Sequence, residues 1–220
     1  MKYLLRSILE NILECFTDFN FIWHIIAAVI TYILVTTNVD WYYFINTRSN
    51  IFLYISFPAV ILGGILPLLV PLILIVKGHI FKKENTKILG WLVAEAVLIG
   101  SIISSFYKAF TGRIQPDLYN ISTNISGNFE FGFLRHGIFW GWPSSHTTVA
   151  FAMAFIFIGM FPKNKTIKYI SFFYALYIGI GVSLSIHWLS ECIAGAIIGS
   201  IIGITIIQSY RKRDLDKKLF

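Results

Sequence analysis

Lys108, Ser144, Ser145, His146, His187 and Glu191 are residue types that can handle a phosphate. His187 and Glu191 are four positions apart, which on a helix puts them on one face. A carboxylate at that spacing orients an imidazole and raises its basicity, leaving the other ring nitrogen as a nucleophile. His146 ends the stretch Trp142-Pro143-Ser144-Ser145-His146, where a polar loop turns into a long apolar run. Pro143 suits the first turn of a helix, where a missing N–H costs nothing, and Ser144 or Ser145 can cap it. The free N–H groups and dipole of such an end make an anion site. Each residue alone has a plainer reading: an interfacial histidine is usually a hydrogen-bonding group, and Lys108 would be a snorkelling anchor. Their convergence is the argument. Two histidines and a glutamate could in principle bind zinc. The neighbouring lysine, arginines and serines suit an oxyanion better than a cation, so no metal or other cofactor is expected.

The elements that must position these residues are membrane helices. Of the 220 residues, 56% are hydrophobic and only 13% charged, with a mean hydropathy of +0.72. Those values belong to integral membrane proteins. Six apolar segments are expected at 20–37, 52–76, 88–107, 146–162, 167–186 and 190–209, each near the ~20 residues a bilayer requires. Pro58, Pro67 and Pro71 lie inside the second, where a kink is expected. Residues 1–19 place Leu5, Ile8, Leu9, Ile12, Leu13 and Phe16 at helical spacing opposite Lys2, Arg6, Glu10 and Glu14. That pattern predicts an amphipathic helix lying in the interface. Gly195, Gly199 and Gly203 form a small-residue stripe for close helix packing. The chain reads as one all-α membrane domain over 1–220, with an interfacial helix (1–19), a six-helix core (20–209) and a basic cytoplasmic tail (210–220).

Charge sets the expected orientation. With both termini inside, 14 of the 18 Lys and Arg residues fall on the cytoplasmic face, and only Arg48, Lys108, Arg113 and Arg135 stay outside. This asymmetry accounts for the net charge of +7 without any nucleic-acid partner. Lys108, Arg113 and Arg135 lie in or beside the long 108–145 loop, which also carries Phe129, Phe131, Phe133, Phe139, Trp140 and Trp142. An interfacial aromatic belt is one reading of those rings; a rim that admits a lipid tail is the other. Lys108 ends the third segment, His146 starts the fourth, His187 ends the fifth and Glu191 begins the sixth. All four therefore return to the outer face. Cys15 and Cys192 fall on opposite faces, so no disulfide joins them. Glu95, within the third segment, is either functional or hydrogen-bonded to a neighbouring helix. His24 and His79 read as interfacial on the cytoplasmic side.

The chain resembles the type 2 phosphatidic acid phosphatase superfamily, which is related to the vanadium haloperoxidases. The first motif of that family, Lys-x6-Arg-Pro, is similar to Lys108 through Gln115-Pro116; the second, Pro-Ser-Gly-His, to Pro143-Ser144-Ser145-His146; the third, Arg-x5-His-x3-Asp, to Gly181 through His187 and Glu191. The resemblance covers about residues 88–205. It implies that His187 attacks phosphorus to form a phosphohistidine and that Glu191 holds its imidazole. It implies too that His146 protonates the leaving alkoxide and then activates water. Lys108, Ser144, Ser145 and the amides after Pro143 would bind the phosphoryl oxygens. The implied substrate is a phosphorylated lipid in the outer leaflet of a bacterial plasma (inner) membrane. Phosphatidic acid, phosphatidylglycerol phosphate, a polyprenyl pyrophosphate, a lipid A-type phosphate and a small soluble ester all remain open. Gln115 and Gly181 stand where the family has arginines. Either the charge is relocated to Arg113 or Arg135, with His136 adding to it, or the chain is a silent lipid-phosphate-binding or scaffold protein.

Overall fold

A computed structural model describes residues 2–47, 49–117 and 122–218. Arg48, one of the four outer cations, lies outside them. The described residues form eight helices and no strand: α1 (Lys2–Cys15), α2 (Asp18–Thr36), α3 (Val39–Asn46), α4 (Asn50–Ile80), α5 (Glu84–Thr111), α6 (Ser145–Met160), α7 (Lys165–Ser183) and α8 (Leu189–Lys218). Five of them, α2, α4, α5, α7 and α8, are long and apolar enough to cross a membrane. The fourth expected span, at 146–162, is the helix α6, which has 16 residues, about 24 Å of helix against a hydrocarbon core of roughly 30 Å. Its position explains its length. It packs against α4, α5, α7 and α8 and is apolar all round, as a helix enclosed by other helices should be.

The core runs through α5, α6 and α8, where Val93, Ile99, Ile103, Met153, Ile156, Ile198 and Ile202 are buried together. The glycine stripe of α8 is what lets α6 lie so close. A Cβ at Gly195 would stand 2.7 Å from the Ser144 carbonyl oxygen, and one at Gly203 2.7 Å from that of Ala152. One at Gly199 would meet the Thr148 carbonyl. This seating brings the start of α8 against the start of α6, where the Ser144 N–H donates to the Glu191 carbonyl at 3.1 Å.

The N-terminal helix α1 docks on the bundle. Ile8, Ile12 and Phe16 pack on the core, whereas Leu9 and Leu13 are exposed. Its docked face also carries Ser7 and Asn11, both buried, which donate to one Glu95 oxygen at 2.7 Å each. Glu95 is therefore hydrogen-bonded to a neighbouring helix. His24 is a correction: it is buried, not interfacial, with ring nitrogens bonded to the Tyr107 hydroxyl at 2.8 Å and the Cys15 carbonyl at 3.0 Å. Cys15 and Cys192 are free and buried. The short α3 falls in a stretch expected to be a loop.

Candidate active site

The C-terminal ends of α5 and α7 and the N-terminal ends of α6 and α8 meet at one end of the bundle. Ser144 is the N-cap of α6; its hydroxyl accepts from the Thr147 N–H at 3.4 Å. Pro143 thus precedes the cap and does not occupy the first turn. The N–H groups of Ser145 and His146 sit in that turn, with no intrahelical acceptor. The Ser145 hydroxyl bonds that of Ser104 at 3.0 Å. On α4, Gly63 opens the space the His146 ring fills, since a Cβ there would lie 3.2 Å from it.

His187 sits in the turn between α7 and α8. Its Nδ1 is 2.6 Å from Glu191 Oε2; a carboxylate only accepts, so Nδ1 carries the proton and Nε2 is left for chemistry. Burial pushes the His187 pKa down, Glu191 pushes it back up, and the Lys108 and Arg113 charges lower it. The net direction is down, so the ring is neutral at pH 7, the form a nucleophile needs. The His146 and His187 ring centroids are 5.9 Å apart.

A cavity of about 830 Å³ opens here. Lys108, Gln115, Ser145, His146 and His187 line it, along with Ser101, Ser105, Ser185 and Asp117; Ile138, Phe139 and Trp140 supply apolar wall. Lys108 is the one lysine or arginine among these lining residues. Its ammonium is buried and donates to the Phe139 carbonyl at 2.9 Å. The Gln115 amide sits between the Ile186 carbonyl and the Gly141 N–H, fastening two loops at the rim.

Three expected phosphate ligands lie elsewhere. Ser144 is fully buried as a cap. Arg135 is exposed and off the cavity wall. Arg113 is fully buried behind Glu191, with Nη1 3.5 Å from Glu191 Oε1 and 2.8 Å from the Ser190 hydroxyl. Its Nη2 is 2.7 Å from Asp40 Oδ2, its Nε and Nη2 donate to the Ser126 carbonyl, and the guanidinium lies over Phe129 and Trp188. His136 pairs with Glu130 at 3.0 Å. The turn after α5 aims Arg113 inward. Gly112 adopts a left-handed conformation (φ +47°) that a side chain would strain, and the strip beyond it pairs with 128–130. Gly181 has no room for a longer side chain, because a Cβ there would collide with that of Ala59 on α4.

Two residues were missed from the sequence. Asp40 on α3 is buried and reaches Arg113; its only signal was a lone acid in an aromatic stretch. Ser185 lines the cavity two residues before His187, and its buried hydroxyl has no partner. Among the described residues, no three of His, Cys, Asp or Glu gather as a metal site. A family model described as PAP2 superfamily matches residues 89–215. No curated protein matches, and no solved structure matches.

Proposed function

The chain belongs to the PAP2 superfamily, and on that footing we propose that it is a membrane phosphatase acting on a phosphorylated lipid through a phosphohistidine on His187. The observation that carries the reading is the 2.6 Å contact between His187 Nδ1 and Glu191, with His146 beside it across a cavity. In the first step Nε2 attacks phosphorus, the bond from phosphorus to the lipid oxygen breaks, and His146 gives its proton to that oxygen. In the second, His146 takes a proton from water, the oxygen attacks phosphorus, the P–N bond breaks and phosphate leaves. Lys108, Ser145 and the amides of Ser145 and His146 meet the phosphoryl oxygens as charge builds on them. Glu191 holds the tautomer and offsets the positive charge of the phosphorylated ring.

The aromatic and aliphatic wall supports a lipid substrate, and the lysine and arginine asymmetry supports a site on the outer face with both termini cytoplasmic. A single cation on the cavity wall keeps the silent binding-protein reading alive. One experiment separates the two: phosphate release from detergent-solubilised protein and from His187→Ala, over phospholipid monoesters and polyprenyl pyrophosphate, with EDTA present. Release that requires His187 and survives EDTA supports the enzyme. No release from folded protein with any substrate leaves the binding reading.

A further inference from the structure

A buried guanidinium is stable only when its N–H groups are satisfied and its charge is countered. Arg113 meets that demand with two carboxylates from different elements: Asp40 at 2.7 Å and Glu191 at 3.5 Å. The contacts are unequal. Asp40 holds the guanidinium closely and also accepts from the Ser190 N–H at 2.8 Å and from the Ser190 hydroxyl. Glu191 has its Oε1 in no hydrogen bond and its Oε2 on His187, with the Gln115 amide 3.5 Å from Oε2. Asp40 lies outside the residues the family model matches.

We propose that Asp40 and Arg113 are positioning residues for the nucleophile: Asp40 draws Arg113 away from Glu191, so that Glu191 is free to pull on His187. Two opposite consequences follow. Removing the Asp40 charge releases Arg113 to Glu191, weakens the hold on the imidazole and lowers the proton affinity of His187. Removing the Arg113 charge leaves two carboxylates uncountered and raises it. The other charged or titratable groups on the cavity wall with His187 are Lys108 on α5, Asp117 after α5 and His146 on α6, and none of them changes in these variants. Asp40 does not line the cavity, so its loss acts on kcat and on the acidic limb of the pH profile, with little change in KM.

The consequence for turnover rests on the phosphatase reading; the titration of His187 does not. The test is an NMR titration of histidine-labelled protein in micelles, with His187 assigned by its loss in His187→Gln, for the natural protein, Asp40→Asn, Asp40→Glu and Arg113→Gln. The expected result is a fall of roughly half a pH unit or more in Asp40→Asn, a rise in Arg113→Gln, and a return towards the natural value in Asp40→Glu. The acidic limb of kcat/KM moves the same way. Thermal unfolding checks that each variant is folded, and Asp40→Glu still decides the matter if Arg113→Gln is not. Titrations that do not move, that move in one direction in both variants, or that shift equally in Asp40→Glu and Asp40→Asn overturn the proposal. Opposite shifts in a protein without turnover reject the phosphatase reading alone; turnover with an unmoved titration rejects this inference alone.

Discussion

The two sides of His187 are built differently. Behind it, Glu191, Arg113, Asp40 and Ser190 form a buried network in which the guanidinium lies over Phe129 and Trp188. In front, the cavity presents one lysine and several hydroxyls, one of which, on Ser185, has no partner. The back is closed off by the protein, with Glu191 Oε1 its one atom outside a hydrogen bond, while the front opens onto the cavity. Gln115 and Gly181 stand at the motif arginine positions, and the neighbouring Arg113 lies behind His187, against Asp40 and Glu191.

Breaking each side should have distinct costs. Arg113→Ala strands two buried carboxylates and should lower folding stability by about 3–5 kcal/mol. Lys108→Ala removes a cavity charge. It should leave the unfolding temperature near its natural value while lowering kcat by on the order of 10²–10³-fold, the cost of losing one oxyanion contact. Thermal unfolding and steady-state kinetics on both variants check the contrast; an Arg113→Ala protein as stable as the natural one would collapse it.

Ser185→Ala sharpens the front. Removing an unpaired buried hydroxyl costs no hydrogen bond in the free protein, so stability should hold or rise. A hydrogen bond to a charged phosphate is worth about 1.5–3 kcal/mol, so kcat/KM should fall on the order of tenfold or more. A stability loss with unchanged kinetics would make Ser185 a packing residue. The smallest effect is expected from Arg135→Ala, exposed and off the cavity, where kcat/KM should stay within about twofold.

The helices and the pairing of His187 with Glu191 were legible in the sequence because both depend on local spacing. Each expected apolar segment overlaps a helix, and Glu191, four residues after His187, does meet its ring, although His187 stands in the turn before α8 and not on a helix. The fate of Arg113 was not legible. Its direction depends on the turn at Gly112 and on the distant strip 128–130. Its partner Asp40 comes from α3, a helix too short to stand out by periodicity. Ser144 could be read as a cap or as a phosphate ligand from the same motif, and only the packing of α8 against α6 buries it. The segment expected at 146–162 appears as the 16-residue α6, so its extent was legible; its place among α4, α5, α7 and α8 was not, because apolar composition does not say whether a helix faces lipid or other helices.

The proposed covalent phosphoryl group on His187 can be trapped. In His146→Ala, a substrate with a good leaving group such as p-nitrophenyl phosphate needs little acid help in the first step, while the second step loses its base. Phosphohistidine should therefore accumulate. Rapid quenching, digestion at alkaline pH and mass spectrometry should find one acid-labile phosphoryl group on the peptide carrying His187. Folded protein that carries no phosphoryl group, or carries it on another residue, would contradict the account.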